Sequence, residues 1–501
     1  MKSKILITAL VLSLSFTGYA QSVQKQVKQL DTYIQNAIEV WDPPGLAVAV
    51  VKDGKVVFTK GYGTRTIGKN LPVDEHTLFV CASTTKAFTA AGLAMLVDDG
   101  KIVWSDHVID YLPEFQLSDP YVTRELTIRD LLTHRSGLGN TDFLWSWMSI
   151  SGDSALYKLR DVDPSYSLRS SFIYQNLMYL AAGKVIEKVS GQSWESFLKK
   201  RIYEPLQMNE TYAKYKMVLE QDNKADAHIW VDEDIVKVSQ MNADEIGPAG
   251  SMWSSATDMA KWLQFLLNNG IVNGDTLIGE SNFNELFKPQ QIIPPNQFYP
   301  SAELTKPNWT TYGLGWFQHD YRGKMVQFHT GSLPGMVAIA GLIPEENIGV
   351  YVFGNLDHVE LRHAIMYTVF DLFIDGKITN DWSADLKELY DKRQDDDEEP
   401  KRVADTQPTI PLERAIGRYK HQIYGNIEIT KEGDDYRFNL NNTIIGSLTH
   451  WHYDTYEIIF DKLWQGKSMM SFRMDSDAEL SYLEVLGKQF YYKRDKDNQD
   501  E

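Results

Sequence analysis

The stretch that decides the fold runs from Phe79 to Leu96 and reads FVCASTTKAFTAAGLAML. Its first residues are typical of a strand and its alanine-rich continuation of a buried helix, so Ser83 is predicted at the first helical turn, near the positive end of the helix dipole. Lys86 follows one turn later and can reach the same hydroxyl. A serine becomes a nucleophile when a base takes its proton, and a lysine can be that base if burial lowers its pKa. The alternative for this motif alone is a helix-capping serine with a surface lysine.

The Ser-x-x-Lys spacing occurs twice more, at Ser22–Lys25 and at Ser196–Lys199. Ser22 lies in a polar run beside a predicted cleavage point. Ser196 lies among polar residues that are typical of the solvent face of an amphipathic helix. Ser83 is the copy that has apolar strand-like residues before it and apolar helix-like residues after it, so we predict that Ser83 is the nucleophile.

A second motif is Tyr174-Gln175-Asn176. A phenol titrates near 10, so Tyr174 needs a cationic neighbour to act as a phenolate near neutral pH. If Lys86 and Tyr174 surround one hydroxyl, each shifts the pKa of the other in the required direction, and their protonation belongs to the pair. Asn176 can hydrogen-bond both Lys86 and a substrate carbonyl. The alternative is an ordinary core tyrosine, since residues 173–182 are apolar and helix-like.

A third motif is His329-Thr330-Gly331-Ser332, at the end of an alternating, strand-like segment. A glycine at this position lets a substrate backbone come close. The backbone amide of Ser332, together with that of Ser83, can form an oxyanion hole for a tetrahedral intermediate. The alternative is an edge-strand histidine before a turn.

These motifs resemble the serine β-lactamase and penicillin-recognising family, in its class C-like branch of esterases, D-aminopeptidases, D,D-peptidases and LACTB-type proteins. The resemblance covers roughly Val23 to Gly376 and keeps its order and spacing throughout. It includes LLTHRSGL at residues 131–138, the stretch from Tyr174 to Gly191, and GPAGSMWSS at residues 247–255.

The resemblance implies that Ser83 is the acylated nucleophile. It implies that Lys86 and Tyr174 share the role of base, and that Asn176 positions both the lysine and the substrate. All four positions are present in matching context, which favours an enzyme over a penicillin-recognising or ligand-binding protein without turnover.

One departure from the family pattern concerns substrate binding. The third motif usually begins with lysine, whose fixed charge helps to bind the carboxylate of a β-lactam or a D-Ala terminus. Here His329 takes that place, and its imidazole is mostly neutral near pH 7. We therefore expect an esterase or D-amino-acid peptidase acting on an ester or peptide-like amide; the alternative is a β-lactamase or D,D-carboxypeptidase.

The composition of the chain restricts the classes of molecule that it is expected to bind. The chain has 501 residues, a net charge of −18 and 43% hydrophobic residues, which is ordinary for a globular enzyme of two domains. The negative charge argues against nucleic acid and anionic membranes as partners. The chain has no phosphate-binding or dinucleotide fingerprint, and its eleven histidines lack metal-ligand spacing. We expect a small-molecule or peptide substrate, no cofactor and no metal; the sequence leaves the oligomeric state open.

The first twenty residues are predicted to be a signal peptide. Lys2 and Lys4 precede the apolar run Ile5–Leu14, and small residues follow up to Ala20. The apolar run is too short for a stable membrane span, so we expect no membrane anchor. An exported chain whose single cysteine is Cys81 fits a bacterial periplasmic or secreted protein.

Residues 21–391 are predicted to form an α+β hydrolase domain. Strand-like segments occur at 45–51, 56–63, 328–343 and 348–354, whereas 87–267 is mostly helical. The simplest solution is one antiparallel, β-lactamase-like sheet closed by sequence-distant strands, flanked by helices, with an inserted helical subdomain. The site is then expected in the cleft between the sheet and that subdomain.

The remainder is predicted to be a linker and a second domain. Residues 392–411 are acidic and contain three prolines, which is typical of a solvated linker. Residues 412–494 consist of short alternating segments separated by turns, which predicts a small antiparallel barrel. The stretch LTHWHYD at 448–454 resembles lipocalin-like domains attached to this family. For His450 and His452 we expect a structural role; a carbohydrate- or lipid-binding barrel is a further alternative for the function.

Overall fold

The computed structural model describes residues 2–396 and 401–493, although not the side chains of residues 2–20 and 394–396. Its main feature is an eight-stranded antiparallel sheet. Across the sheet, the strands are Lys55–Gly63, Gly45–Lys52, Ile348–Gly354, Met336–Ile343, Lys324–Leu333, Phe317–Tyr321, Thr310–Tyr312 and Gln291–Ile292.

The sheet is closed by strands from the two ends of the domain, which confirms the predicted α+β architecture. Val48 in the first strand lies opposite Val352 in the last. In the strand Gly45–Lys52, alternate apolar residues pack on the helix Leu361–Asp375 and on the opposite face near the helix Ala256–Leu267. Because both faces are covered, this strand is a continuous apolar run with no polar alternation.

Helices cover both faces of the sheet and form most of the inserted region. Their bounds are Lys2–Trp41, Thr85–Asp98, Val108–Tyr111, Pro120–Glu125, Ile128–Leu132, Phe143–Ser146, Gly152–Lys158, Asn176–Ser190, Trp194–Leu198, Gly247–Gly250, Ala256–Leu267, Glu280–Phe287, Ala302–Thr305, Leu361–Asp375 and Trp382–Asp396. Three short hairpins or bridged pairs accompany them: Phe79–Val80 with Trp253–Ser254, Ala227–Val231 with Asp234–Val238, and Ile271–Val272 with Asp275–Thr276.

The chain after residue 416 forms a closed eight-stranded antiparallel barrel, as predicted. Its strands are Gly417–His421, Gly425–Glu432, Asp435–Leu440, Ile444–His452, Thr455–Phe460, Lys467–Met474, Leu480–Val485 and Lys488–Lys493. The pairing of Arg418 with Lys493 closes it. A barrel of this size is just wide enough for side chains to fill, and here Tyr419, Phe438 and Phe490 are among the buried residues.

The segment predicted as a linker is partly structured. The helix Trp382–Asp396 extends five residues past the predicted domain end at 391, and residues 397–400 lie outside the described part. From residue 401 the chain follows the barrel. Arg402 Nε donates to the carbonyl of Trp451 at 2.9 Å, and the amide of Ile410 donates to Asp454 Oδ1 at 3.1 Å.

The first helix, Lys2–Trp41, includes the residues predicted as a signal peptide, so processing at Ala20 stays a prediction. Within residues 2–396 and 401–493, no helix combines the length and the apolar character needed to cross a membrane.

Candidate active site

Ser83 lies in the short 3₁₀ turn Ala82–Thr84, which leads directly into the helix Thr85–Asp98. Ala82, just before it, has a φ of +46°, in the left-handed region that costs a residue other than glycine about 1–3 kcal/mol. Such strained positions cluster at functional sites. Here the strained turn places the serine on the wall of a cavity of about 440 Å³.

Lys86 is completely buried beneath the nucleophile. Its Nζ atom donates to Asn176 Oδ1 at 2.7 Å and to the carbonyl oxygen of Ala249 at 2.8 Å, and it lies 3.2 Å from Ser83 Oγ. Burial lowers the pKa of Lys86 to about 7, although Asp142 opposes this shift. A neutral amine has two N–H bonds and one lone pair. Because the amide and carbonyl oxygens can only accept, that lone pair faces Ser83.

Asp142 fixes the orientation of Asn176. Asn176 Nδ2 donates to Asp142 Oδ1 at 2.8 Å, so the amide oxygen must face Lys86. The same carboxylate oxygen accepts a hydrogen bond from Trp145 Nε1 at 2.8 Å. Sequence reasoning found Asn176 but missed Asp142, since a lone aspartate before a four-residue helix carries no pattern.

Tyr174 is half-buried on the cavity wall close to Ser83, and its ring centroid lies 4.8 Å from Lys86 Nζ. Burial is the largest influence and raises the pKa of Tyr174 well above 10, against the smaller lowering by Ser83. This differs from the expected phenolate: a neutral Lys86 offers no charge to stabilise one. The surroundings favour a Tyr174 that keeps its proton while Lys86 loses one.

His134, in the LLTHRSGL segment, lies behind Tyr174. Its Nδ1 accepts a hydrogen bond from the amide of Gln175 at 3.0 Å, and its ring centroid is 4.3 Å from that of Tyr174. Burial lowers the pKa of His134 well below its usual value. A neutral imidazole therefore packs against the tyrosine and supports the backbone that carries it.

His329 lies in the strand Lys324–Leu333 but is not among the residues that line the cavity. Its Nδ1 contacts the carbonyl oxygen of Thr330 at 2.6 Å, and its Nε2 lies 2.9 Å from the hydroxyl of Tyr312. Because the carbonyl only accepts, Nδ1 carries the hydrogen and Nε2 accepts from Tyr312. Burial lowers the pKa of His329 to about 3, so the imidazole is neutral at any physiological pH.

Thr330 and Ser332 line the cavity, whereas Gly331 faces the chain's own backbone. A Cβ atom at Gly331 would lie 2.1 Å from the carbonyl oxygen of Cys81. The expected reason for this glycine was close approach of a substrate. In the structure it lets the strand pack against the turn that carries Ser83, and so it sets the width of the cleft.

A buried ion pair supports this strand from behind. Arg362 Nη1 donates to the carbonyl of Gly331 at 2.6 Å and to Ser332 Oγ at 2.9 Å, while Nη2 donates to Glu360 Oε1 at 2.8 Å. Nδ1 of His363 contacts the other Glu360 oxygen at 2.7 Å. Sequence reasoning missed this group. The available signal was a set of charged residues, Glu360 to His363, at the start of an otherwise apolar helix.

Six aromatic side chains contribute to the cavity wall. Trp145 lines the cavity, whereas Trp147, Tyr312 and Trp316 do not. Tyr174 of the second motif also lines it, and the remaining aromatic lining residues come from segments without a motif: Phe172, Phe298, Tyr299 and Phe317. In the described part of the chain, Asp142 is the one carboxylate on the wall, and no lysine, arginine or histidine side chain lines it. Throughout residues 2–396 and 401–493, no group of three or more Asp, Glu, His or Cys side chains is arranged so that it could hold a metal ion.

The chain matches two protein-family models, one over the hydrolase domain and one over the barrel. The family model described as Beta-lactamase matches residues 30–369, which is most of the chain. The chain belongs to the beta-lactamase family. A second model, described as a domain of unknown function (DUF3471), matches residues 401–496, the region of the barrel.

Relatives of this beta-lactamase family chain include fungal and bacterial proteins. It is 28% identical over 449 residues to the unguisins hydrolase ungD of Aspergillus violaceofuscus, covering 82% of this chain and 77% of the relative. It is 25% identical over 341 residues to the protein flp of Staphylococcus aureus strain MW2, covering 66% and 63% of the two chains. Members of the family are generally serine hydrolases.

The fold has a solved counterpart in the octameric penicillin-binding protein homologue from Pyrococcus abyssi. The TM-score is 0.62 at 23% identity, with 93% of this chain and 99% of the other covered. At this identity the likeness concerns the fold, and it extends over both the hydrolase domain and the barrel.

Proposed function

We propose that this protein is an exported serine hydrolase that cleaves an ester or a peptide-like amide through an acyl-enzyme on Ser83. The observation that carries the proposal is the contact between Lys86 and Ser83. A completely buried amine whose pKa is lowered to about 7, and whose lone pair faces a cavity-lining hydroxyl 3.2 Å away, is suited to act as a general base.

In the proposed reaction, neutral Lys86 takes the proton of Ser83 as Oγ forms a bond to the substrate carbonyl carbon. The backbone amides of Ser83 and Ser332 are the proposed donors to the oxyanion. Collapse of the intermediate breaks the bond to the leaving group, which receives a proton from the phenol of Tyr174, and the Lys86 ammonium restores that proton. Water then attacks the acyl carbon while neutral Lys86 takes a proton from it. The bond from that carbon to Ser83 Oγ breaks and the carboxylic acid is released, and the Lys86 ammonium returns its proton to Oγ, so the enzyme is back in its starting state.

The cavity wall supports an apolar substrate that has no carboxylate near the reacting bond. Its aromatic side chains offer apolar contact area, while the carboxylate of Asp142 repels an anion. The name of the relative unguisins hydrolase supports hydrolysis as the reaction type. Both observations favour neutral esters and neutral or amine-bearing amides.

The second candidate is a β-lactamase or D,D-carboxypeptidase. It would need a cation for the substrate carboxylate, and the described wall has none, because His329 is neutral and lies behind it. We therefore expect slow turnover of nitrocefin relative to a neutral ester such as p-nitrophenyl acetate. Nitrocefin hydrolysis as fast as that of the ester would favour this candidate over the first.

The direct test is intact-mass analysis after treatment with a fluorophosphonate, in wild type and in Ser83→Ala. One covalent adduct is expected in the wild type and none in the variant. Ser196→Ala is the matched control, since Ser196 has the same Ser-x-x-Lys spacing but is exposed on a helix. An unlabelled wild-type protein, or equal labelling of Ser83→Ala, would refute the acyl-enzyme and favour a non-catalytic binding protein.

Export is part of the proposal and rests on the first twenty residues. Processing after Ala20 leaves Gln21 at the N-terminus of a periplasmic or secreted protein. N-terminal mass spectrometry of the soluble, active protein tests this, and an intact Met1 would contradict it.

A further inference from the structure

One short segment, residues 142–147, lies between the active site and the barrel. Its front supplies Asp142 and Trp145, which both line the cavity. Its back supplies Phe143 and Trp147, which are half-buried and turn to the C-terminal domain. The segment is therefore a single layer with the catalytic network on one side and the barrel on the other.

The contacts with the barrel are aromatic and specific. The ring of Phe143 lies 4.8 Å, centroid to centroid, from that of Tyr424, in an edge-to-face arrangement. The ring of Trp147 lies 5.4 Å from that of Phe460, again edge to face. Edge-to-face pairs of this kind stabilise the two rings beyond the effect of the area that they bury.

A hydrogen bond adds to these pairs. The hydroxyl of Thr443 lies within hydrogen-bond distance of two carbonyl oxygens, that of Trp147 at 3.2 Å and that of Leu440, within the barrel, at 3.1 Å, and its one hydrogen is shared between them. Tyr424 and Thr443 lie in two turns of the barrel, and Phe460 ends one of its strands. These three residues define what we call the hydrolase-facing end of the barrel.

The segment needs such support because it is locally weak. Its helix, Phe143–Ser146, has four residues, and a single helical turn is unstable on its own. The side chain of Asp142 precedes the helix but makes no capping bond to it. That carboxylate instead accepts from Asn176 and Trp145, so the residue that would stabilise the helix is engaged with the catalytic network.

We propose that the hydrolase-facing end of the barrel positions residues 142–147 and thereby completes the active site. Asp142, held in place, orients the amide of Asn176, and that amide orients Lys86 toward Ser83. Trp145, held in place, forms part of the substrate wall. Tyr424, Thr443 and Phe460 are positioning residues for a reaction they never touch. The catalytic part of this inference rests on the proposed function; the structural part does not.

The test compares two buried barrel phenylalanines in the full-length protein. Phe460→Leu removes the ring that contacts Trp147. Phe472→Leu makes the same change at a ring that packs within the barrel against Tyr419 and Tyr456, and it controls for a weaker barrel. If Phe460→Leu does not fold, Thr443→Val removes the hydrogen bond to Trp147 with little change in volume.

The first measurement is hydrogen exchange of the backbone amides in residues 142–147, which needs no turnover. Phe460→Leu should speed this exchange by about two- to tenfold, the range that corresponds to one lost aromatic pair, and Phe472→Leu should not. Unchanged exchange in Phe460→Leu and in Thr443→Val would overturn the inference. If the exchange changes but Ser83 of the wild type cannot be labelled, the proposed function is wrong, while the inference that the barrel positions residues 142–147 is retained.

The second measurement is the rate of fluorophosphonate labelling as a function of pH. Lys86 is faced by the carboxylate of Asp142, the neutral imidazoles of His134 and His329, and the phenols of Tyr174 and Tyr179. Loosening residues 142–147 moves the carboxylate away, so Phe460→Leu should label more slowly and its acid limb should shift to lower pH. A merely destabilised barrel would lower the amount of active protein without moving that limb.

Discussion

Lys86 and Arg362 are both buried basic residues, but their surroundings are opposite. Lys86 contacts a hydroxyl, an amide oxygen and a backbone carbonyl, all of them neutral. Arg362 forms a two-bond pair with the carboxylate of Glu360. Burial lowers the pKa of Lys86 to about 7, whereas Glu360 outweighs burial and keeps the pKa of Arg362 above its usual value.

Both residues are buried, so burial alone does not explain the difference in their pKa values. The presence or absence of a carboxylate partner decides whether the buried group can act as a base, as Lys86 can, or stays charged and holds other groups in place, as Arg362 does. An ammonium without a counterion loses its proton easily, so Lys86 can take one from Ser83. A guanidinium that is paired and always charged cannot act as a base, but its fork can hold several acceptors in fixed positions. Arg362 uses that property to support the strand at Gly331 and Ser332.

The largest effect is expected on the rate of catalysis, when Lys86 or the serine that it activates is replaced. Ser83→Ala should lower kcat by about 10⁴- to 10⁶-fold, and Lys86→Met by about 10²- to 10⁴-fold as a general base is lost. Turnover of p-nitrophenyl acetate measures both. Lys199→Met is the matched control, because Lys199 belongs to the exposed Ser-x-x-Lys pair. Near-wild-type turnover in Lys86→Met would remove lysine as the base.

On the Arg362 side, the next largest effect should appear in stability. Arg362→Met leaves the Glu360 carboxylate buried without its main partner, which typically costs about 3–5 kcal/mol of unfolding free energy. Denaturant unfolding of the full chain measures this. The double variant Arg362→Met/Glu360→Gln should recover part of the loss, because it removes the orphaned charge. A single variant as stable as the wild type would show that the pair anchors nothing.

The same substitution at Lys86 should change stability in the opposite direction. Folding lowers the pKa of Lys86 from its ordinary value of 10.5 to about 7, so between these two pH values the unfolded chain binds more protons than the folded chain. Stability of the wild type should therefore rise with pH from about 7 to 10.5. Lys86→Met should be more stable at pH 6 by about 1–2 kcal/mol, since two lost hydrogen bonds offset part of the gain, with the difference shrinking at higher pH. A lower Tm at pH 6 would contradict this.

The comparison also shows how far the sequence could predict the molecule. Lys86 was predictable because it stands one helical turn from Ser83, between apolar stretches with recognisable periodicity. The sheet and the barrel were predictable for the same reason. Arg362 was not, because its role comes from a strand thirty residues away in sequence, whose carbonyls it reaches only after folding.

The support from the barrel was equally out of reach. Trp147 and Phe460 lie far apart in the chain, and nothing in either local pattern indicates that their rings meet. The sequence predicted two domains joined by a linker, and such a division into separate domains gives no indication that side chains of one domain contact side chains of the other. Pairings of this kind depend on how two folded surfaces match, which short-range periodicity does not encode.

The smallest predicted effect sharpens the comparison by changing the charge nearest to Lys86 while keeping the contacts. Asp142→Asn retains an oxygen that can accept from Asn176 and from Trp145, so the network should persist and kcat should fall little at high pH. The lost negative charge no longer favours the Lys86 ammonium, so the acid limb of kcat/KM should move to lower pH, by roughly half to one unit. Asp153→Asn, a largely exposed carboxylate paired with Lys184, is the matched control and should not move the limb. A shift to higher pH would mean that the titrating group is not Lys86. If the acid limb of kcat/KM does not move, Asp142 acts on the amine of Lys86 only by orienting Asn176. The difference in pKa between Lys86 and Arg362 would then arise entirely from the groups that hydrogen-bond to them.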